Sequence, residues 1–348
     1  MSTGSRRRRP VQAMLPAVLV AAILASTGAS PVTQSVDEQA LLKAFGFSTQ
    51  DVQKIGRGEV IGHTTQAAGD EVALAVAGAI GVPAAYYLQR LRAIETFKKS
   101  AEILQIGRFS TTPSTADLAS LTLEDADIDD LKGCRLGHCG VKLDVQGIAQ
   151  LGRRDARSDL SSAAMRQYLA GYVERYLRSG NAVLIEYRDG SEPGRLAAEM
   201  RGIMDRSAYL QRGWPLLYRA ISDFSGSLPS GLDHFVYWSK EKIGPRAVIS
   251  VTHTIISPPS NGAAVIATKQ LYASHYSEAS LGVTILLDKG TVEAPRTLVI
   301  YVNRSRLDIF GGLLGPIKRP LVRSRARDGA ERTMRQLRDR LEREYRAG

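Results

Sequence analysis

Residues 247–276 read AVISVTHTIISPPSNGAAVIATKQLYASHY, and this stretch decides the fold. Apolar and polar side chains alternate on both sides of the central run PPSNG at 258–262. Alternation with a period of two is typical of a β-strand, and proline, asparagine and glycine together indicate a turn. The stretch therefore predicts a β-hairpin with strands over 247–257 and 263–276.

The two faces of this hairpin differ in polarity. If the turn is centred near Ser260, odd-numbered residues share one face. That face carries Ile249, Val251, His253 and Ile255 opposite Val265, Ala267, Lys269, Leu271 and Ala273. The even face carries mainly Ser, Thr, Gln and Tyr side chains. The hydrophobic effect predicts burial of the odd face, whereas a register slip of one residue would exchange the two faces.

The flanking segments predict more strands and one long helix. Alternating or apolar runs predict strands at 58–64, 71–77, 103–109, 181–187, 235–239, 281–287 and 297–303. Helical spacing predicts helices within 30–55, after Pro83, and over 158–177, 195–205 and 214–224. After Pro320, apolar residues recur every three or four positions as far as Tyr345, which predicts a long amphipathic helix. The expected fold class is α+β, with an antiparallel sheet covered by the C-terminal helix.

This order of elements resembles the helix-grip fold of START and Bet v 1-like domains, over roughly 58–110 and 235–347. The resemblance implies a curved antiparallel sheet gripping the C-terminal helix, with a cavity for a lipid, sterol or polyketide between them. The domain is then 58–348, preceded by an N-terminal helical segment at 30–57. Residues 111–234 depart from the family pattern, and we interpret them as a largely helical insertion. The chain also resembles a group of exported bacterial proteins, which indicates a location but no chemistry.

The N-terminus has the pattern of a secretory signal peptide. Four arginines at 6–9 precede an apolar core at 13–25, which is shorter than the 17 to 25 residues of a membrane-spanning helix. Small residues at Thr27 and Ala29 predict cleavage after Ala29. The arginine pair leaves a twin-arginine signal open, and an uncleaved anchor is the other alternative. We expect a periplasmic or secreted protein.

The two cysteines, Cys134 and Cys139, are predicted to form a disulfide, because export permits oxidation. A metal site on Cys134, His138 and Cys139 is the alternative, but no nearby motif supplies a fourth ligand. The acidic run at 121–131 is interpreted as a solvated loop or helix start, since it lacks the spacing of a calcium-binding loop. No metal and no cofactor are predicted.

The net charge of +11 is concentrated at the two ends of the chain. Four arginines lie in the leader, and residues 318–348 contain 11 basic and 5 acidic residues. The remainder is nearly neutral, which argues against nucleic acid as a partner. The basic final helix leaves an anionic membrane surface open as a partner.

The candidate ligand-binding residues come from the hairpin and the last strand. His253 and Lys269 are polar groups on the apolar face, with Ile249, Val251 and Leu271 around them. Tyr301 and Arg304 lie at the end of the last strand, where they could contact a ligand head group. Isolated polar groups in apolar pockets commonly orient a ligand. A satisfied core histidine and a lysine that reaches the rim are the alternatives for the first pair.

We predict no catalytic residues, because the sequence has no GxSxG, HExxH, GxGxxG or phosphate-loop motif. The leading hypothesis is an exported protein that binds or carries a hydrophobic, lipid-like ligand. One alternative is a cyclase or hydrolase on the same scaffold, using His253 with Lys269 or His275. The other is a peripheral envelope protein that binds through its last helix.

Overall fold

The structure is a computed structural model, and it describes residues 1, 37–152, 158–260, 262–310 and 315–348. Apart from Met1, the predicted signal peptide and its cleavage site after Ala29 lie outside the described residues. The division into an N-terminal segment, a domain and an insertion stays a prediction.

The chain is α+β and is built around an eight-stranded antiparallel sheet. Its strands lie in the order β1-β2-β10-β9-β8-β7-β6-β3, and β4 and β5 pair separately. The bounds are β1 Ile61–Thr64, β2 Glu71–Ile80, β3 Ile103–Arg108, β4 Glu186–Tyr187, β5 Gly194–Arg195, β6 Asp233–Ile243, β7 Arg246–Ser260, β8 Ala263–Ala273, β9 Ser277–Asp288 and β10 Thr297–Leu307.

The hairpin predicted from residues 247–276 is present as β7 and β8. Ser260 pairs with Ala263, and His253 lies directly opposite Lys269 in the register. A bulge between Val251 and Thr252 offsets the pairing by one residue in the part of the hairpin farthest from the turn. The expectation that the odd residues of β7 share a buried face is confirmed, because the period of the pleat fixes which side chains point together.

Eleven α-helices lie in the described parts of the chain. Their bounds are α1 Glu38–Ala44, α2 Thr49–Gly56, α3 Ala84–Arg92, α4 Ile94–Phe97, α5 Asp125–Lys132, α6 Val145–Leu151, α7 Ser158–Ser179, α8 Leu196–Asp205, α9 Ala208–Gly213, α10 Pro215–Ser222 and α11 Gly315–Ala347. Short 3₁₀ turns occur at Thr115–Leu118, Gly180–Val183 and Asp308–Phe310. The segment between β3 and β6 therefore contains α5 to α10 and the small β4–β5 pair.

Two local predictions from the sequence are wrong in detail. The strand expected at 181–187 is mostly a 3₁₀ turn, and only Glu186–Tyr187 is extended. Gly180 has a φ of 62°, and an added Cβ there would overlap the backbone of Phe224, so the chain turns at this point. The C-terminal helix begins at Gly315, not after Pro320, and Pro320 lies inside it. Pro320 is the sixth residue of α11, beyond the first turn, so it removes one backbone hydrogen bond from the helix.

Helices cover the sheet on both sides, which makes three layers. One side, called the packed face here, buries Ile249, Val251 and Ile255 against residues of α7, α8 and α10. The other side, called the cavity face, carries Ile256 and Ile266 and is covered by α3, α4 and α11. Along a strand, apolar residues alternate between these two clusters, as the period of two requires. The C-terminal helix packs on the sheet, as predicted, and it lies nearest β1 and β2.

Candidate functional site

A cavity of about 530 Å³ lies on the cavity face, between the sheet, the α3–α4 region and α11. Its size falls within the range of pockets that bind small molecules. Much of its wall is apolar. The apolar residues that line it are Ile80, Leu91, Ile94, Phe97, Ile103, Ile243, Ile266, Val299, Ala330, Met334 and Leu337.

Three polar side chains form the centre of the cavity floor. Thr268 of β8, Thr284 of β9 and Tyr301 of β10 line the cavity and stay partly exposed, although they lie in central strands of the sheet. Tyr301 is directly opposite Thr284 in the register. Burial raises the pKa of Tyr301 to about 12, so the phenol keeps its proton at neutral pH. This floor, called the hydroxyl floor here, can donate and accept hydrogen bonds.

Gly282 makes room for the hydroxyl floor. It lies opposite Thr268 on β9, and an added Cβ would come within 3.3 Å of the Tyr301 hydroxyl and 3.2 Å of its ring. The Tyr301 ring therefore crosses the strand over a residue that has no side chain. At the edge of this floor, the Thr254 hydroxyl is buried and has no hydrogen-bond partner in the described structure.

An ion pair forms part of one wall. Lys98 donates to Glu241 at 2.7 Å, and its ammonium lies 3.5 Å from the Tyr237 hydroxyl. Burial lowers the pKa of Lys98, but Tyr237 and Glu241 raise it by more, so the net pKa lies above its ordinary value. Burial raises the pKa of Glu241, but Lys98 and the Ser239 hydroxyl together lower it by more, so the net pKa lies below its ordinary value and the carboxylate stays ionised. The Ser239 hydroxyl donates to the same carboxylate at 2.6 Å.

The structure places the seven predicted ligand-binding residues in three different locations. Tyr301 alone among them lines the cavity. Ile249, Val251, Leu271, His253 and Lys269 are buried on the packed face, on the other side of the sheet from α11. The odd face is the more apolar one, so it packs against the larger helical layer, and the more polar even face meets α11. Whether any of the seven binds a ligand stays a prediction.

His253 and Lys269 are both fully buried, and they belong to one polar cluster. The two ring nitrogens of His253 hydrogen-bond to the Tyr176 hydroxyl at 2.8 Å and to His234 at 2.9 Å. The Lys269 ammonium donates to the side-chain oxygen of Asn181 and, at 3.3 Å, to the backbone carbonyl of Ile221. The pair is therefore satisfied by the helices that cover it, which corresponds to the core-histidine alternative for His253.

Burial shifts the pKa of both groups away from the charged form. The pKa of Lys269 falls to about 7, because the amine is removed from water. Burial, then the neighbouring charges of Lys269 and His234, hold the pKa of His253 well below its ordinary value. A partly neutral lysine is a potential nucleophile, but at 0% exposure it meets a substrate only if the covering helices move.

Arg304 is not free to contact a ligand head group. It pairs with the fully buried Glu71, which also accepts from Arg206 at 2.6 Å. It donates to the backbone carbonyl of Gln66 at 3.2 Å as well. Arg304 and Arg206 together therefore neutralise the buried carboxylate of Glu71. Removal of either arginine would leave part of the negative charge of that carboxylate unpaired.

Cys134 and Cys139 form a disulfide, as predicted. The bond occupies both thiols, so they are unavailable to the alternative metal site. Across the described residues, no group of three histidine, cysteine, aspartate or glutamate side chains could hold a metal ion. Asp127, expected in a solvated run, is buried and pairs with His275 at 3.0 Å and with Arg246 at 3.0 Å.

The sequence did contain the signal that leads to the cavity. Thr254 and Thr268 lie on the even face of the hairpin, whereas the pattern of polarity predicts burial only for the odd face. The long helix after the last strand needs a surface to cover, and the even face is the surface that it meets. The polar face of the sheet is therefore covered by a helix, and its side chains line the cavity.

No helix in the parts of the chain that the structure describes is long and apolar enough to cross a membrane. No protein-family model, curated protein or solved structure matches this chain.

Proposed function

We propose that this protein binds and carries a hydrophobic, lipid-like ligand in the cavity between the sheet and α11. The observation that carries the proposal is the cavity of about 530 Å³ itself, whose wall is largely apolar and whose floor holds a few hydroxyl groups. Apolar pockets with a small number of polar groups are the usual form of small-molecule sites.

The arrangement of the sheet and α11 supports the proposal that the domain has a helix-grip fold. A long C-terminal helix packs on a large antiparallel sheet, and the cavity lies between them. In this proposal the helices between β3 and β6 form a layer on the opposite face and take no part in ligand binding. Export to the periplasm or the exterior is part of the same proposal, and the disulfide agrees with it.

The polar floor suggests how a ligand would be oriented. Thr284 and Tyr301 offer hydroxyls to an oxygen of the ligand, and Thr268, whose hydroxyl donates to the Gly282 carbonyl at 3.3 Å, can accept a hydrogen bond from it. Val299 and Ile266 contact the apolar part of the ligand. Hydrogen bonds to such groups fix orientation, and burial of apolar surface supplies most of the affinity.

The first test combines native mass spectrometry with a cavity-filling variant. The full chain is expressed with its leader, purified from the periplasm and examined for a co-purifying lipid. Binding of the neutral fluorescent probe N-phenyl-1-naphthylamine is then measured for the wild type and for Ala330→Trp. Ala330 of α11 lines the cavity, so we expect the indole to weaken probe binding by about tenfold or more.

Ala347→Trp is the matched control, because Ala347 lies on the same helix but is exposed and does not border the cavity. Thr333→Trp fills the cavity from an exposed position and serves if Ala330→Trp fails to fold. Circular dichroism checks the fold of each variant. Equal probe affinity in all four proteins would contradict the proposal.

A further inference from the structure

Three segments that carry basic side chains supply exposed residues to the lining of the cavity, and together they are called its mouth here. These are the connection from α4 to β3, the end of β6 and the middle of α11. Arg340 of α11 donates to the backbone carbonyl of Lys99 at 2.8 Å, and the Lys242 amide donates to the carbonyl of Glu102 at 2.8 Å. These two hydrogen bonds hold the segments next to each other.

Positive charge dominates the residues that line the cavity. Its cationic lining residues are Lys98, Lys99, Lys242, Arg332, Arg338 and Arg340, and its acidic ones are Glu102 and Glu241. Glu241 is already neutralised by Lys98. Glu102 is therefore the one acidic lining side chain, in the described structure, that stays outside an ion pair.

Three of these cations stand outside the ion pairs, although Arg332 lies near Asp328, whose carboxylate is paired with Arg327. The side chains of Lys99, Lys242 and Arg332 are exposed, and none forms an ion pair with a described residue. Arg338, by contrast, pairs with Asp339, and Arg340 reaches Glu344 at 3.9 Å. Lys99, Lys242 and Arg332 are called the basic rim below.

An exposed apolar residue lies beside the basic rim. Ile243 follows Lys242 in β6, lines the cavity and is 51% exposed. A charged rim next to apolar surface, above an apolar interior, matches the chemistry of an amphiphile with a negative head group. A cationic head group would meet repulsion at the same place, and a neutral head group would leave the rim charges unused.

We propose that the cavity binds a single-chain anionic amphiphile, with its carboxylate or phosphate at the basic rim and its chain between the apolar walls. This inference rests on the proposed function, since it names the ligand class of that same cavity. Charge-assisted hydrogen bonds from lysine and arginine hold the head group, and the apolar walls hold the chain.

The test compares three probes that share one chain. Dissociation constants are measured by calorimetry for dodecanoate, dodecanol and dodecyltrimethylammonium, at pH 8, at low ionic strength and below the micellar concentration of each. The variant Lys99→Gln/Lys242→Gln/Arg332→Gln removes the basic rim. The matched control Lys43→Gln/Arg325→Gln/Arg343→Gln loses the same charge at exposed positions outside the cavity lining.

We expect the wild type to bind dodecanoate about tenfold or more tightly than dodecanol, and dodecyltrimethylammonium most weakly. The preference for dodecanoate should disappear in the rim variant and persist in the control variant. It should also shrink as salt is added, because the rim is exposed. Inorganic phosphate should not displace dodecanoate at equal concentration, because it lacks the chain.

Three results would overturn this inference while leaving the proposed function in place. They are equal affinity for dodecanoate and dodecanol in the wild type, a preference that survives in the rim variant, and displacement by inorganic phosphate. Failure of all three chain-bearing probes to bind would instead overturn the proposed function, and this inference with it.

Discussion

The two faces of the sheet show how one set of strands produces two different environments. On the packed face, β8 buries Ala267 and Lys269 completely, and β9 buries Val283 and Ile285. On the cavity face, the same two strands leave Thr268 and Thr284 partly exposed. The strands are shared, so the difference arises from the helices that cover each side.

This contrast shows that a buried polar side chain needs hydrogen-bond partners within the protein, whereas a side chain that recognises a ligand must be left without them. Lys269 has an amide oxygen, a carbonyl and the Tyr176 ring around its ammonium. The side chains of the basic rim, by contrast, are exposed. A satisfied group contributes to the structure of the protein, whereas an unpaired group beside a cavity can recognise a ligand.

The largest expected effect concerns the charge buried on the packed face. Lys269→Met should change how stability depends on pH. The folded pKa of about 7 lies below the ordinary value of 10.5, so the unfolded chain binds the extra proton between those two pH values. The free energy of unfolding of the wild type should therefore rise with pH across that window, relative to the variant, by about 5 kcal/mol at most.

Urea denaturation at pH 6, 8 and 10 measures this difference. Lys142→Met is the control, because Lys142 is also buried but pairs with Asp308 at 2.7 Å and Asp189 at 3.7 Å. Its loss should destabilise the protein, since it leaves carboxylates unpaired. A pH-independent difference between the wild type and Lys269→Met would show that Lys269 is not desolvated as the structure indicates.

A matched pair of isoleucines compares the packing of the two faces directly. Ile255 of β7 is buried on the packed face, and Ile266 of β8 lines the cavity. Ile255→Ala should cost about 4 kcal/mol of unfolding free energy and Ile266→Ala about 2 kcal/mol, because the second site adjoins space that already exists. Urea denaturation measures both. Equal costs, or the reverse order, would mean that the cavity is closed in solution.

The disulfide loop tests whether the two faces are independent. Cys134 and Cys139 pack against the cluster of the packed face. The double change Cys134→Ser/Cys139→Ser should lower the unfolding free energy by about 2 kcal/mol, as expected for a short closed loop. Reduced wild type should match it in urea denaturation. Affinity for N-phenyl-1-naphthylamine should stay unchanged, and a parallel loss of probe binding would argue that the faces are coupled.

Local sequence alone determined most of the strands, the hairpin register and the helices. Period-two alternation predicts both strands of the hairpin, although β8 ends at Ala273 and not at Tyr276. Period-three-to-four spacing predicts α7 and α11. The proximity of His253 and Lys269 followed from the position of the turn. The disulfide followed from two cysteines with no other partner in the chain. These features depend on neighbouring residues, whose geometry is set by the backbone.

Only the tertiary structure decided which helix covers which face, and therefore which residues border the cavity. Five of the seven predicted binding residues lie on the packed face, because the more apolar side of the hairpin meets the larger helical layer. Asp127 is buried by partners that lie more than a hundred residues away in the chain, Arg246 and His275. The basic rim likewise joins segments of α4–β3, β6 and α11. Such contacts link residues distant in sequence, so no local pattern of spacing or polarity specifies them.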